Sequence, residues 1–310
     1  MSRTAPRPPV LAGDAIEWAA RRFSRARLCY GHGTDNPRDE AAALVFHAAG
    51  WPHSAAPAAY RRPLPRTARS TLARLVTARI DERVPAAYLT GVSWFAGHEI
   101  RVDRRVLVPR SPIAELIAQR FQPFVVVERV TRILDMGTGS GCIAIACAYA
   151  FPRARIDAAD VSRGALIVAR DNVRRHGLER RVRPLHSNVY ARLGARRYDI
   201  IVSNPPYVPR RDVDRLPPEY RHEPRVGLEA GPDGLDTVRT ILAGAARRLE
   251  PEGVLIVEVG DSAAAVERAW PRVPFLWLDF QRGGGGVFLL RRADLVDFAR
   301  RAQRAARQTR

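Results

Sequence analysis

No lysine occurs in this chain. All 51 basic residues are arginine, set against 32 acids, for a formal charge of +19 over 310 residues. Such a surplus creates a positive field that attracts RNA or a ribosome without specifying a sequence. Abundant alanine, arginine and proline also point to a compositional bias, which accounts for part of that charge. Cysteine is scarce. The three present, Cys29, Cys142 and Cys147, are too few and too scattered for a disulfide framework or a zinc site, so no metal is expected. Cys142 and Cys147 fall in an apolar run and read as small buried hydrophobes. Long apolar runs are missing too: the longest, Cys142 to Phe151, is too short to cross a bilayer, and no membrane partner is expected. No apolar segment follows the basic, proline-rich opening Met1 to Pro9, so no signal peptide is expected and the cytoplasm is the expected compartment. A hydrophobic content of 46% is ordinary, and suffices for one large domain or two unequal ones.

Periodicity divides what is there. Residues 1–83 read as a small helical domain. Ile16, Ala19, Ala20 and Phe23 recur at helical spacing, and Asn36-Pro37-Arg38-Asp39 has the form of a helix start that runs to Gly50. Leu72, Leu75, Val76 and Ile80 make a third apolar stripe. Residues 84–109 read as a β-hairpin linker, with Tyr88, Trp94, Phe95, Ile100, Val102, Val106 and Val108 around turn signals at Gly91 and Gly97. Residues 110–295 begin with a helix capped by Ser111-Pro112. Strand patterns follow at Thr131–Met136, Arg155–Asp160, Arg181–His186, Tyr198–Ser203, Val254–Val259, Phe275–Phe280 and Val287–Leu290, most of them separated by helical patterns. That alternation predicts an α/β fold with a doubly wound, mostly parallel seven-stranded sheet. The last two strands are separated by a gap too short for a crossover helix, so they are expected to be antiparallel. Residues 296–310 form an Arg-rich tail, expected to be solvated.

Two segments carry chemistry. Asn204-Pro205-Pro206-Tyr207 stands at the end of a strand, where two prolines stop pairing and leave carbonyls free to face a cleft. The Asn204 side-chain oxygen and the Pro205 carbonyl can take the two hydrogens of a planar NH2 group, while Tyr207 covers its plane. A carboxylamide and an exocyclic base amine both fit. A proline turn that only ends the strand is the plain alternative. Upstream, Asp135-Met136-Gly137-Thr138-Gly139-Ser140-Gly141 links the first strand to a helix, with glycines that allow a sharp turn and close approach to a ligand. Asp160 ends the next strand, placed to hold ribose hydroxyls. The spacing is G-x-G-x-G rather than the dinucleotide G-x-G-x-x-G. Asp135, just before it, would repel a pyrophosphate but hold an ammonium. S-adenosylmethionine, with an amino-acid moiety and no phosphate, fits better; Asp135, Gly137, Thr138, Gly139, Gly141 and Asp160 are the candidate cofactor residues.

Together these motifs resemble a class I S-adenosylmethionine methyltransferase of the N5-glutamine group (the HemK/PrmB group), over nearly the whole chain. Tyr88-Leu89-Thr90-Gly91, Trp94-Phe95-Ala96-Gly97, the run Arg105 to Glu115, and Tyr220-Arg221-His222-Glu223-Pro224 carry the likeness. Within the group, Pro109 to Glu115 and Tyr220 to Pro224 are similar to the branch that methylates a glutamine of the third large-subunit ribosomal protein. The resemblance implies that protein as substrate, free or in an assembling particle, with non-specific RNA contact from the basic surplus. It implies Asn204, Pro205 and Tyr207 as catalytic, with Pro206, Arg110 and Glu223 lining the approach to the substrate. The family's acid for the adenine amine is replaced by Asn188, which accepts without charge assistance. No general base is expected, and His222 is the nearest histidine for substrate contact. The alternative is a nucleic-acid amino methyltransferase acting on adenine N6 or guanine N2, which shares the same clamp.

Overall fold

The computed structural model describes residues 7–52, 55–281 and 283–297; nearly all of the expected Arg-rich tail, and Met1 to Pro6 of the opening stretch, lie outside them. The described residues form two compact units. The first takes the chain up to Ser93 together with Val102–Arg104 and Leu216–Glu223, and the second takes Trp94–Arg101, Arg105–Arg215 and the chain from Pro224 on. The helical unit thus recruits Leu216–Glu223, more than a hundred positions beyond residue 83, the end read from periodicity.

The first unit contains α1 (Ala12–Ala26), α2 (Pro37–Ala49), α3 (Arg66–Asp81) and α4 (Ala86–Thr90). In α1 the apolar positions Ile16, Ala19, Ala20 and Phe23 are all buried. Asn36 caps α2 as its sequence predicts: Oδ1 accepts from the amides of Arg38 at 3.1 Å and Asp39 at 2.9 Å. Gly50 ends the helix in the left-handed region at φ 68°, which glycine adopts at little cost. In α3, Leu72 and Val76 are buried as expected, but the fourth core position is Arg79, with none of its surface exposed. Its three donor nitrogens are matched one to one: Nε to Glu40 Oε1 at 2.6 Å, Nη1 to Glu219 Oε1 at 3.1 Å and Nη2 to the Cys29 carbonyl at 2.8 Å. A charge is stable at such depth only when paired and fully hydrogen-bonded. Glu219 sits in the recruited segment, so this buried ion pair is one reason that Leu216–Glu223 belongs with the helices.

The linker is less β-rich than its pattern predicts. Its strands are only β1 (Val92–Phe95) and β2 (His98–Arg101), paired as a two-stranded sheet. Tyr88 belongs to helix α4, where Pro85 shapes the first turn and the Thr90 hydroxyl bonds back to the Ala86 carbonyl at 3.1 Å. Val102, Val106 and Val108 are buried without joining a strand.

The second unit begins with α5 (Ile113–Ala118) and alternates β3 (Arg132–Met136), α6 (Cys142–Ala150), β4 (Arg155–Asp160), α7 (Arg163–Arg175), β5 (Val182–His186), β6 (Tyr198–Ser203), α8 (Arg210–Val213), α9 (Asp236–Arg248), β7 (Leu249–Glu258), α10 (Ala263–Ala269), β8 (Leu276–Leu278) and β9 (Val287–Arg291). The strands form one sheet in the order β5-β4-β3-β6-β7-β9-β8. β3 to β7 run parallel, and β9 is antiparallel to both β7 and β8, as the short gap before it requires. Helix α6 is apolar nearly all round, the signature of a helix buried on more than one side. Leu134, Ile201, Leu255, Val257 and Phe288 share one core cluster with Val238, Ile241 and Ala245 of α9.

Arg79→Leu leaves Glu40 without its buried cation and Glu219 with the Cys29 amide at 3.0 Å and Arg83 at 3.5 Å. We expect it to cost about 3–5 kcal/mol, against about 1 kcal/mol for Asn36→Ala. Urea unfolding of the full chain measures both, with hydrogen exchange showing the loss confined to the first unit. A cost below that of Asn36→Ala would contradict the structural role of the pair.

Candidate active site

Parallel register brings five strand ends to one edge. Met136 pairs with Ala159 of β4 on one side and Ser203 of β6 on the other, Ser203 pairs in turn with Val257 of β7, and Asp160 pairs with His186 of β5. The chain moves outward from β3 through β4 to β5, then returns to the other side of β3 at β6. The crevice at that reversal is where α/β sheets bind ligands, beyond the carboxyl ends of the strands.

The glycine loop closes one side of it. The amides of Gly137 and Thr138 both donate to the Ala159 carbonyl, at 2.8 and 3.0 Å. Gly137 has φ 73°, and a Cβ there would stand 3.7 Å from the Asn204 carbonyl oxygen. The loop therefore passes within contact of the proline clamp, and a side chain at this position would be strained by its backbone angle. Asp135 is fully buried beneath the loop. Its Oδ2 accepts from the Thr138 hydroxyl at 2.5 Å and the Ala144 amide at 3.0 Å, while Oδ1 has no hydrogen-bond partner among the described residues. Burial pushes the Asp135 carboxyl up to about 7, against the bonds from Thr138 and Ala144. At Asp160 one oxygen accepts from the Gly139 amide at 2.8 Å and the other from Ser162 at 2.7 Å. Burial raises this carboxyl also, against its backbone donors. Asn172, buried in α7, donates to the Ser140 carbonyl at 2.9 Å and exchanges two further bonds with the backbone of Arg101. It anchors the loop from behind.

Asn204 to Tyr207 face the loop from β6. The Ser203 hydroxyl, fully buried, donates to the Met136 carbonyl at 2.7 Å and ties the two strand ends together. Asn204 Nδ2 donates to the Arg110 carbonyl at 3.4 Å. Pro205 is buried, and no described residue donates to its carbonyl. The Tyr207 ring lies against Gly260, where a Cβ would meet ring carbon Cε2 at 2.8 Å, and its carbonyl accepts from the Ser262 hydroxyl at 2.8 Å. Gly260, at φ 47°, is the residue that lets the ring lie there.

One residue at this edge is absent from the motifs. Glu258 ends β7, next to Asn204 by the register Ser203↔Val257. It is buried, with 5% of its surface exposed, and accepts from the Ser111 hydroxyl at 2.5 Å. Burial pushes its carboxyl up to about 7, against hydrogen bonds from Ser111, Tyr207 and Asn204 and the nearby charge of Arg110. The sequence signal for it was present. Like Asp135 and Asp160, it is a lone acid at the C-terminal end of an apolar strand.

The remaining expected residues are more dispersed. Asn188 is exposed in the turn after β5, two positions from His186, the partner of Asp160. The same turn is tied to β4 by Ser187, whose amide donates to the Asp160 carbonyl at 2.9 Å. Arg110 reaches the clamp through its backbone oxygen and through its charge on Glu258. Glu223 is buried in the recruited segment of the helical unit, with Oε2 3.7 Å from His32 Nε2. His222 belongs to the same unit and donates to the Glu82 carbonyl at 2.8 Å.

Residues 14–91 match the PrmC N-terminal domain and residues 114–216 the methyltransferase small domain. A ribosomal protein uL3 glutamine methyltransferase from Xylella fastidiosa is 47% identical over 283 residues, covering 91% of this chain and 90% of that protein. Its counterpart from Xanthomonas campestris is 45% identical over 283 residues, covering 91% and 92%. Among solved structures, a 16S rRNA N2 G1207 methyltransferase from T. thermophilus in complex with AdoMet and guanosine is similar at 20% identity and TM-score 0.45, over 64% of this chain and 49% of that one.

The buried Asp135 makes a pH prediction. A carboxyl that holds its proton to higher pH folded than unfolded favours folding below its unfolded value, and loses that advantage as pH climbs through its folded value. For Asp135 the window runs from its ordinary 3.8 up to about 7. Asn cannot ionise, so Asp135→Asn should gain stability relative to wild type across that window and level off above it. Thermal unfolding without cofactor between pH 5 and 8 measures the difference, and a gap that does not change with pH would contradict the burial.

Proposed function

The chain belongs to the family of the ribosomal protein uL3 glutamine methyltransferases, and from that premise we propose how its own residues carry the reaction. It is an S-adenosylmethionine-dependent enzyme that methylates the side-chain amide nitrogen (N5) of a glutamine in a large-subunit ribosomal protein. The observation that carries this reading is the closeness of the two motifs: a Cβ built on Gly137 would stand 3.7 Å from the Asn204 carbonyl oxygen and 4.0 Å from Pro205 Cα, so a ligand held by the loop faces an amide held by the clamp.

The residues fit that cofactor. Asp135 supplies an orphaned, buried carboxylate oxygen suited to an ammonium. Asp160 keeps lone pairs for ribose hydroxyls after accepting from Gly139 and Ser162, and Asn188 supplies a neutral acceptor for the adenine amine. When bound, the cofactor supplies an electrophilic methyl group on a positively charged sulfur. The protein's part is to make a poor nucleophile adequate, because an amide lone pair is delocalised into its carbonyl. Asn204 Oδ1 and the Pro205 carbonyl accept the two N–H bonds, orient the nitrogen and offset the positive charge that grows on it. Pro206 keeps the clamp extended, and Tyr207 covers the amide plane and excludes water. No side-chain base is needed, since the alkylated amide nitrogen is acidic enough to lose its proton late.

The substrate protein meets the enzyme free or in an assembling particle in the cytoplasm, with the +19 surplus favouring loose RNA contact. No helix among the described residues is long and apolar enough to cross a membrane.

Ribosomes from a strain lacking the enzyme, incubated with it and radiolabelled S-adenosylmethionine, test the reading. Label should survive nuclease and be lost to protease. Loss to nuclease instead would move the activity to a base amine. Asn204→Ala should lower methyl transfer about 100-fold or more with cofactor affinity retained, as expected for an interaction that matters at the reacting centre. Asp160→Ala should weaken cofactor binding, and unchanged affinity by calorimetry would remove it from the ribose role.

A further inference from the structure

The clamp works only if Asn204 presents its oxygen to the substrate. An asparagine amide is nearly symmetric in shape, and turned over it would offer an NH2 to an NH2 and hold nothing. Something behind Asn204 must therefore distinguish its two ends. Two acceptors stand there: the Arg110 carbonyl, 3.4 Å from Nδ2, and the Glu258 carboxylate, which takes a hydrogen bond from the Asn204 side chain. We propose, on the reading that the clamp binds a planar NH2, that Glu258 is a positioning residue: with the Arg110 carbonyl it takes the two Nδ2 protons, leaving Oδ1 as the face of Asn204 turned to the substrate.

The geometry supports this at three points. The parallel pairing of Ser203 with Val257 puts Asn204 and Glu258 side by side on adjacent strands, so the contact follows from the sheet and not from a mobile loop. Turned over, Oδ1 would face a carboxylate and a carbonyl with no hydrogen between three oxygens, in a site only 5% exposed at Glu258; desolvated repulsion of that kind is strong. The same carboxylate also accepts from the Tyr207 and Ser111 hydroxyls. It thus holds both functional side chains of the clamp from one anchor, with Ser111 fixing the anchor itself. The ionised carboxylate accepts from all three donors with charge assistance, whereas a protonated Glu258 must donate from one oxygen and accepts more weakly. Burial has pushed Glu258 up to about 7, so the order of the clamp should improve as pH rises through neutrality. Arg110 and Tyr207 are the other titratable groups facing it.

Glu258→Gln is the informative variant. A glutamine offers one acceptor oxygen and one NH2 to three donors. Its uncharged oxygen cannot serve all three donors as the carboxylate does. Its own amide has two ends to choose between, so it can meet Asn204 with an NH2 and no longer fixes which end of Asn204 faces out. We expect kcat to fall about 30- to 100-fold, with cofactor affinity within about two-fold and the acid limb of the wild-type kcat profile lost. In the Asn204→Ala background the same change should cost several-fold less, because only the contact with Tyr207 is left for it to disturb. An equal loss in both backgrounds would overturn the proposal. A direct readout stands apart from activity. In wild-type protein labelled with 15N-asparagine, the Asn204 NH2 resonances (assigned by their absence in Asn204→Ala) should shift as pH passes through neutrality, and should not do so in Glu258→Gln. Resonances indifferent to both would sink the role of Glu258 even in an active enzyme. Failure of the wild type to methylate a ribosomal protein would sink the functional reading, and the resonances would still decide the positioning role.

Discussion

Everything at this site depends on the parallel pairing of β3 with β4 and β6, and of β6 with β7. Because the strands run the same way and in step, Asp135, Asp160, Asn204 and Glu258 all arrive at one carboxyl edge. Three of these are acids, and each is buried. Desolvation then raises each carboxyl above its ordinary value, against hydrogen bonds that hold it down. The edge of the sheet is thus a row of buried acceptors, where on the proposed function an ammonium, ribose hydroxyls and a planar NH2 would find partners.

The acids divide the work by what they accept from. Asp160 takes its bonds from loop amides and so shapes the loop while facing the crevice. Asp135 is deeper, with one oxygen spent on Thr138 and Ala144 and the other unmatched among the described residues. Glu258 faces side chains only. A buried carboxylate ringed by hydroxyls and an amide orders side chains, whereas one ringed by backbone amides orders a loop. Arginine shows the same dependence on surroundings. At Arg79 it is a core residue whose three bonds to Glu40, Glu219 and Cys29 draw a distant segment into the helical unit. At the surface, pairs such as Arg174–Asp171 are solvated and contribute little. The charge of +19 therefore says nothing about which arginines matter.

Much of this was legible in one dimension. The sheet's parallel strands, the antiparallel last pair, the cap at Asn36, the glycine loop and the end of β6 before the two prolines all follow from local chemistry: alternation, a capping side chain, a missing Cβ, a missing amide proton. Where the fold departs from the local pattern, a nearby turn-former or a distant partner overrides it. Tyr88 lies in β-like surroundings, but Pro85 and Gly91 bracket a helical turn. The segment with Glu223, which is buried near His32, is tied to the helical unit by the pairing of Glu219 with Arg79. Leu75 and Ile80 looked like core and are only partly buried, while Arg79 took the interior.

The elements, the glycine loop and the strand end at the two prolines follow from residues within a few positions of one another, and so are readable along the chain. What stands behind Asn204 belongs to the folded molecule: Glu258 and Arg110 come from positions 54 residues after and 94 residues before it in the chain. An amide carries no preference between its two ends. On the proposed role of Glu258 that preference comes from the acceptors packed behind it, one placed by the pairing of β6 with β7 and the other by the chain leading into α5.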